Sequence, residues 1–425
     1  MGGFLAADRD RAVCITGMGW TTALGDGLEE VWQHLMSGRS GVRALPGDGG
    51  PPAPAAALLA DGGPTEPPSK RQISLAVTTA SAALRNAGCP AGDVGTLVLG
   101  SSLGPHLDDA AETSPHALTA TVAEQLGVAR SASVSTACSS GADAVLAGAA
   151  LLTAGEAERC LCGGIDLLTQ GKLLGHQALG TLSASGTVRP FDTDRDGTLF
   201  GEGAGFLLLE TRAAATARGA RVLGELRGWG ASNDGTGPTA PDETGAGAVL
   251  AVRRALSRAG AAPRDIAVIN AHGTGTRAND TAEAACYSTV FGPGPDAAPA
   301  VGGGPPARAG TAPGDGDRPA APAGPAGDEG RRQGARGAGS APVVFATKPA
   351  FGHTLGATGA LEVIALLLAL RHRAVPPLPH TRTVMPELTL PLAAGRPREV
   401  TGSLGISLTL GFGGFNTCLL VEGAA

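Results

Sequence analysis

One pattern occurs twice in this chain and constrains its fold more than any other feature. An extended run enters a sharp turn with a reactive side chain, passes small residues with a glycine, and continues as an apolar helix. The first copy is Val134-Ser-Thr-Ala-Cys138-Ser-Ser-Gly-Ala-Asp-Ala-Val-Leu-Ala-Gly148, continuing to about Thr153. The second opens at Val343-Val-Phe-Ala-Thr-Lys348, turns through Pro349-Ala-Phe-Gly352-His353, and passes Gly359 and Glu362 into a helix ending at Arg371. Strands alternating with helices build a layered α/β architecture, and a motif returning once per half is consistent with an internal duplication.

The first copy carries chemistry. A thiol at the first turn of a helix meets outward-pointing backbone N–H groups and the positive end of the helix dipole. That interaction is worth roughly 0.3–2 kcal/mol, or about one pKa unit, so the sequence predicts a Cys138 thiol moved from about 8.5 toward neutrality. A packing role competes, because cysteine is among the most buried residue types.

Composition narrows the field. Hydrophobic residues make up 43% and charged residues 16%, the balance of a globular chain, but aromatics at 3% leave small residues to fill much of the core. A net charge of −6 gives no global attraction to nucleic acid or an anionic membrane, and neither is expected as a partner. Seven scattered cysteines with no C-x-x-C pair argue against a disulfide framework and for a reducing compartment. The opening residues lack the basic start and apolar run of a signal peptide, so a cytoplasmic location is expected. The run from Val363 to Leu370, bracketed by Glu362 and Arg371, is too short to span a bilayer and predicts a buried helix.

In order, apolar runs predict strands at 11–17, 96–100, 159–165, 205–210, 221–229, 266–270, 343–348, 403–410 and 417–421, with helices at 28–36, 69–86, 117–127, 212–218 and 243–259. Residues 46–68, rich in Pro, Gly and Ala, predict a surface excursion without an element. From 293 to 342 about half the positions are Gly or Pro and none is Leu, Ile or aromatic. Such sequence buries too little apolar surface to offset its ordering entropy, so a disordered insertion is expected there. The chain divides into an N-terminal half, 1–220, carrying Cys138, and a C-terminal half, 221–425, carrying His272 and His353.

Several motifs fall short. Glycines after the first strand lack the G-x-G-x-x-G spacing of a dinucleotide site. Asp192, Asp194, Asp196 and Gly197 approach a calcium loop, but position twelve is Gly203, with Glu202 one place early. Cys160 and Cys162 share a strand face without further ligands, so packing is expected and no metal site is predicted. Each histidine taken singly reads as a hydrogen-bonded loop or core residue. Together, Cys138, His272 and His353 each follow a strand among glycines that admit close backbone approach, and a Cys–His set suits acyl transfer.

At these residues the sequence resembles the β-ketoacyl-acyl carrier protein synthases, the elongating ketosynthases of the thiolase superfamily. The signatures are Thr-Ala-Cys138-Ser-Ser-Gly, Ala-His272-Gly-Thr-Gly-Thr, Thr-Lys348-Pro-Ala-Phe-Gly-His353 and Gly-Phe412-Gly-Gly-Phe-Asn. The resemblance implies a thiolase-like duplicated α/β/α/β/α layered fold with two five-stranded mixed sheets. It implies decarboxylative Claisen condensation of an acyl thioester with malonyl-carrier protein, in a type II polyketide or fatty-acid pathway. Cys138 would take the acyl group, with backbone N–H groups of Cys138 and Phe412 as the oxyanion hole. His272 and His353 would stabilise the enolate, Lys348 would be the active-site lysine with Glu362 as its structural partner, and Thr274 and Thr276 would hold the phosphopantetheine arm.

The resemblance implies no permanently bound cofactor; phosphopantetheine arrives on the acyl carrier protein, the expected partner, and a homodimer or a heterodimer with a ketosynthase-like subunit is expected. Lys70 and Arg71 resemble carrier-docking positions. The stretch from Gly100 to Cys138 is shorter than the family pattern, and Ser139-Ser140 departs from the usual fatty-acid wording, leaning toward a specialised pathway. A degradative thiolase would want a second reactive cysteine in a Cys-x-Gly turn, whereas Cys418 lies in strand-like sequence. A catalytically silent ketosynthase-like partner subunit is the alternative, opposed by the intact Cys138, His272, His353 and Lys348.

Overall fold

The structure, a computed structural model, describes residues 12–45, 55–59, 67–103, 114–292 and 341–424. The first half contributes five strands to the large sheet: β1 (Val13–Thr21), β2 (Thr96–Gly100), β3 (Ser131–Val134), β4 (Arg159–Asp166) and β5 (Gly203–Thr211). The second contributes β6 (Gly224–Asn233), β7 (Ile266–Asn270), β8 (Val343–Phe345), β9 (Leu404–Gly411) and β10 (Phe415–Gly423). The longer helices are α1 (Leu28–Met36), α2 (Pro68–Ala87), α3 (Pro115–Leu126), α4 (Ser140–Ala154), α5 (Gln170–Ala178), α6 (Ala246–Ala259), α7 (Arg277–Phe291) and α8 (Thr358–His372).

The strand order is β3-β2-β4-β5-β1 in the first half and β8-β7-β9-β10-β6 in the second. Counted from the start of each half, both orders are third, second, fourth, fifth, first. The pairings also match: β2 is parallel to β3 and β4, and β7 to β8 and β9, while the remaining pairs are antiparallel. Parallel neighbours need a crossover; α3 and α4 serve the first half, α7 and α8 the second.

The fold class agrees with expectation, with one correction in the sheets. The two five-stranded sheets are joined edge to edge into one ten-stranded sheet, because β1 and β6 pair over Val13–Ile15 and Gly224–Leu226. These are equivalent edge strands, and pairing them satisfies backbone groups that each half alone would leave open.

Helices α4 and α8 form the middle layer, each packed against strands of both halves. Every residue of α8 from Thr358 to Leu370 is buried, as befits a helix apolar on all sides. The stretches Ala137–Ala154 and Leu355–His372 are long and apolar enough to cross a membrane, yet they are 56% and 89% buried inside the protein; the sheets take up their apolar surface. On the outer face of the first half, Ala76, Ala80 and Leu84 of α2 pack on Leu97, Leu99, Phe206 and Leu208. Helix α6 covers β6 and β10 on the far side, with α7 beside it.

Small residues let α4 and α8 touch through their backbones. A Cβ on Gly141 would lie 2.7 Å from the Gly356 carbonyl oxygen, and one on Gly359 would lie 2.5 Å from Cβ of Ala142. Cys160 and Cys162 are packed beneath α4, where a Cβ on Gly148 would meet Cys162 Sγ at 2.1 Å.

Three segments differ from the sequence expectation. Within the 46–68 excursion, Ala55–Ala57 forms a strand between Arg43–Ala44 and Phe200–Gly201, where Ala56 and Ala57 are small enough to bury completely. Helix α5 contains Gly171 and Gly175, which weaken the helical signal, and α7 turns Asn279, Asp280 and Glu283 inward where periodicity expects apolar residues. The Gly/Pro-rich insertion at 293–342 lies, except for its last two residues, outside the described residues.

Gly359→Ala is expected to lower stability by about 1–3 kcal/mol through overpacking, read from the urea midpoint. Gly92→Ala, where an added methyl meets nothing within 4 Å, is the matched control, expected to stay within about 0.5 kcal/mol. Equal midpoints for the two variants would show that the helix contact tolerates a side chain.

Candidate active site

The two reactive turns are built alike. Ala137–Ser139 forms one turn of 3-10 helix before α4, and Leu355–Ala357 forms one before α8. Ala137 (φ 52°) and Leu355 (φ 49°) both lie in the left-handed region, which costs a non-glycine residue about 1–3 kcal/mol unless its surroundings hold it. Around Cys138 they do. Ser140 Oγ accepts from Thr136 N–H (2.9 Å) and donates to the Ala137 carbonyl (2.6 Å), while Asp143 accepts from the hydroxyls of Thr136, Ser139 and Thr417. In the second turn Gly356 N–H donates to Asp166 Oδ2 at 2.7 Å, and Lys172 in turn holds Asp166 at 2.5 Å.

Cys138 is 3% exposed. Its Sγ lies 3.1 Å from His353 Nε2 and receives the Phe412 backbone N–H. Burial pushes the thiol up to about 11, against the pull of the Lys348 ammonium and the Phe412 N–H. This corrects the expectation of a thiol near neutrality: desolvation in a closed site outweighs the helix-start effect. The resting group is a thiol.

Both imidazoles have fixed tautomers. Leu355 N–H donates to His353 Nδ1 (3.2 Å), and Thr358 Oγ1 lies 3.0 Å from the same atom. An Nδ1 that accepts leaves the proton on Nε2, so His353 presents Nε2–H to Cys138. The Lys348 ammonium has three protons and no acceptor; its partners are Glu362 Oε1 (2.6 Å), the His272 carbonyl (2.5 Å) and His272 Nδ1 (3.1 Å). His272 therefore also carries its proton on Nε2. The two rings stand edge to face, with centroids 5.1 Å apart. Burial lowers both histidines well below the usual range, and the Lys348 charge adds to this; both are neutral at pH 7. Burial raises the Glu362 carboxyl to about 7, opposed by Lys348.

Sequence reasoning missed the group that shapes the His272 turn. Glu283 accepts from His272 N–H (2.8 Å), Gly273 N–H (2.6 Å), Asn279 Nδ2 (2.8 Å) and Tyr287 Oη (2.6 Å). Its neighbour Asp280 accepts from Phe191 N–H at 2.7 Å, and burial raises its carboxyl to about 7. The polar stripe at 279, 280 and 283 was the available signal. The calcium-like loop is used otherwise: Asp192 accepts from Asp194, Arg382 and Thr383 N–H groups, and Asp196 from Ser183 and Ser185. Among the described residues no three His, Cys, Asp or Glu side chains are grouped to hold a metal ion.

Cys138, His272, His353 and Phe412 line a cavity of ≈ 290 Å³, together with Thr274 and Thr276, whose hydroxyls lie 2.8 Å apart. Phe412 sits at the β9–β10 turn and stacks on His176. Lys348 and Glu362 stand behind the histidines, fully buried. Of the two docking candidates, Lys70 is exposed, but Arg71 forms a two-pronged pair with the buried Glu202 at 2.7 and 2.8 Å.

A doubled third-second-fourth-fifth-first sheet around two central helices, with a buried thiol facing two neutral imidazoles, defines a member of the thiolase superfamily. Residues 10–59 and 68–215 match the family Beta-ketoacyl synthase, N-terminal domain, and residues 223–303 and 330–382 match Beta-ketoacyl synthase, C-terminal domain. The chain belongs to the beta-ketoacyl synthase family. It is 33% identical over 290 residues to 3-oxoacyl-[acyl-carrier-protein] synthase 2 of Mycobacterium bovis and 30% identical to that of Mycobacterium leprae. Each match covers 67% of this chain and spans 58% of the relative's length. Among solved structures, the ishigamide ketosynthase/chain length factor superposes with a TM-score of 0.81 at 29% identity, covering 98% of this chain and 100% of that one. A beta-ketoacyl synthase from Burkholderia phymatum STM815 gives 0.78 at 27% identity, covering 97% and 100%.

The raised thiol pKa has a direct readout. Alkylation of Cys138 by iodoacetamide is expected to climb about tenfold per pH unit from about pH 7 to about pH 10, because only the thiolate reacts. A plateau below about pH 8 would mean a thiolate at rest.

Proposed function

We propose that the protein is a β-ketoacyl-acyl carrier protein synthase that joins an acyl group to a malonyl-derived unit by decarboxylative Claisen condensation, in a type II polyketide or fatty-acid pathway. The observation that carries this is the pair of imidazoles, each held as an Nε2–H donor by a partner on Nδ1, beside a thiol that receives a backbone N–H.

In the first half-reaction Cys138 Sγ attacks the carbonyl of an acyl thioester carried on phosphopantetheine. The N–H groups of Cys138 and Phe412 stabilise the oxyanion, the bond to the pantetheine sulfur breaks, and the thiol proton ends on that sulfur. In the second, malonyl-carrier protein loses carbon dioxide; the electron pair left behind forms an enolate whose oxygen receives Nε2–H of His272 and His353. The enolate carbon attacks the Cys138 acyl carbonyl, and collapse expels the thiolate, which takes up one proton. Neutral donors suit this step, since the charge they meet appears only as the carboxylate leaves. Lys348 acts behind the rings by holding His272 in the donating tautomer, and Glu362 offsets its buried charge. Thr274 and Thr276 are assigned to the pantetheine arm.

The carrier protein as partner is supported by the relatives' name, 3-oxoacyl-[acyl-carrier-protein] synthase. No separate cofactor is assigned, because thiol, imidazoles and backbone donors supply every group the steps use. Assembly as a homodimer or with a ketosynthase-like subunit is supported by β3, an outermost strand with one edge unpaired among the described residues. Division at 220/221 into two thiolase-like halves is supported by the matching strand orders, and the cytoplasmic assignment by the free thiols of all seven cysteines.

The test is to incubate the protein with acyl-carrier proteins of several chain lengths, weigh the Cys138 peptide, then add malonyl-carrier protein and follow carbon dioxide and product. Acylation of Cys138 followed by condensation is expected; no acylation with any donor would leave the silent-subunit alternative. Cys138→Ala should abolish acyl transfer but still release carbon dioxide. His272→Ala and His353→Ala should each slow decarboxylation about a hundred- to a thousandfold, on the order of 3–4 kcal/mol for one lost donor.

A further inference from the structure

Two polar groups in the wall of the Cys138 cavity are unused by these steps. Thr198 is 3% exposed, and its Oγ1 has no hydrogen-bond partner; its residue lines the same cavity as Cys138 and Phe412. A buried hydroxyl left unpaired is costly, and native structures pair such groups unless something outside the chain does so.

The second group is His176. Its ring lines the cavity, stacks on Phe412 with centroids 5.2 Å apart, and meets Phe200 edge-on at 4.5 Å. Thr181 holds the Nδ1 edge of the ring. Its hydroxyl lies 3.1 Å from Nδ1 and 3.2 Å from the His176 carbonyl, and its one proton goes to one of the two. Nε2, which accepts or donates with the tautomer, has no partner among the described residues. Burial, with Lys172 adding to it, lowers this histidine to about 4, so the ring is neutral at pH 7. Thr181 also ties the two groups together, because its carbonyl accepts from Thr198 N–H at 2.9 Å.

We propose that Thr198 and His176 form a polar subsite that recognises a hydroxyl on the acyl chain delivered to Cys138. A hydroxyl both donates and accepts, so it pairs with His176 Nε2 in either tautomer and with the Thr198 hydroxyl. A methylene pairs with neither. The pantetheine amides also pair one donor with one acceptor, but Thr274 and Thr276 already offer hydroxyls to that arm. The stack on Phe412 places the subsite beside the residue whose N–H reaches Cys138, so an engaged hydroxyl also orients the oxyanion donor. This inference rests on the ketosynthase activity proposed above and adds the class of acyl group preferred.

The probes are octanoyl-pantetheine and a series of octanoyl-pantetheines with one hydroxyl at successive carbons, each scored by the rate of Cys138 acylation. At least one hydroxylated member is expected to react about tenfold faster than octanoyl-pantetheine, the scale of one buried polar pairing. Thr198→Val, close in shape but without the hydroxyl, and His176→Phe, which keeps the stack, should each bring that ratio close to one. A thermal melt of each variant checks folding, and because the ratio is internal to each protein, partial loss of active enzyme does not move it. If every member reacts at the octanoyl rate, or if either variant slows all probes equally, the pair serves the pantetheine arm or the scaffold, and the subsite is overturned. If no probe acylates Cys138, the ketosynthase activity itself fails, a different outcome from equal rates.

Discussion

Everything at the centre of this protein depends on two helices meeting with nothing between their backbones. Helix α4 meets the turn before α8 where Gly141 faces the Gly356 carbonyl, and meets α8 itself where Gly359 faces Ala142. A methyl at either contact would force the helices apart, and the turns at their N-termini would separate with them. Those turns carry Cys138 and His353, whose Sγ and Nε2 stand 3.1 Å apart. Proximity of this order comes from positioning alone. It is obtained here by leaving atoms out.

Proton placement is the second constraint, and it is set from behind. The three protons of Lys348 divide among Glu362, the His272 carbonyl and His272 Nδ1, while backbone N–H of Leu355 does the same service for His353. Neither ring has to choose a tautomer when substrate arrives. The thiol is treated differently: burial, against the pull of Lys348, holds its proton. A buried lysine and carboxylate are poor sources of stability; here the lysine sets which nitrogen of His272 carries the proton.

Much of this was legible in the sequence, and the illegible parts share physical causes. Strands at 96–100 and 266–270 and the helix at 28–36 were read to the residue, because apolar runs bounded by glycine or charge leave little ambiguity. The four signature turns come together at one cavity, lined by Cys138, His272, His353 and Phe412. Helix α7 was missed because Asn279, Asp280 and Glu283 point inward to hold a loop, inverting the usual periodicity. The Cys138 acidity was misjudged because a local dipole is visible in sequence while desolvation by a second half of the chain is not. The union of two sheets through three residues of β1 and β6 depends on edge geometry that no local pattern encodes.

The paired turns differ at one place. Counting from the start of each 3-10 turn, the place of Cys138 in the first half is taken by Gly356 in the second. A side chain there would meet the Ser102 backbone nitrogen at 2.4 Å and Asp166 Oδ2 at 2.7 Å. The second turn has no room for a thiol there, since Asp166 of the first half occupies that space and accepts from Gly356 N–H. The two halves are thus not interchangeable: one turn holds a thiol, the other a glycine where that thiol would stand. The chain is asymmetric where its sheets are symmetric, and a thiol-sized side chain at Gly356 would break the contact that holds the second turn.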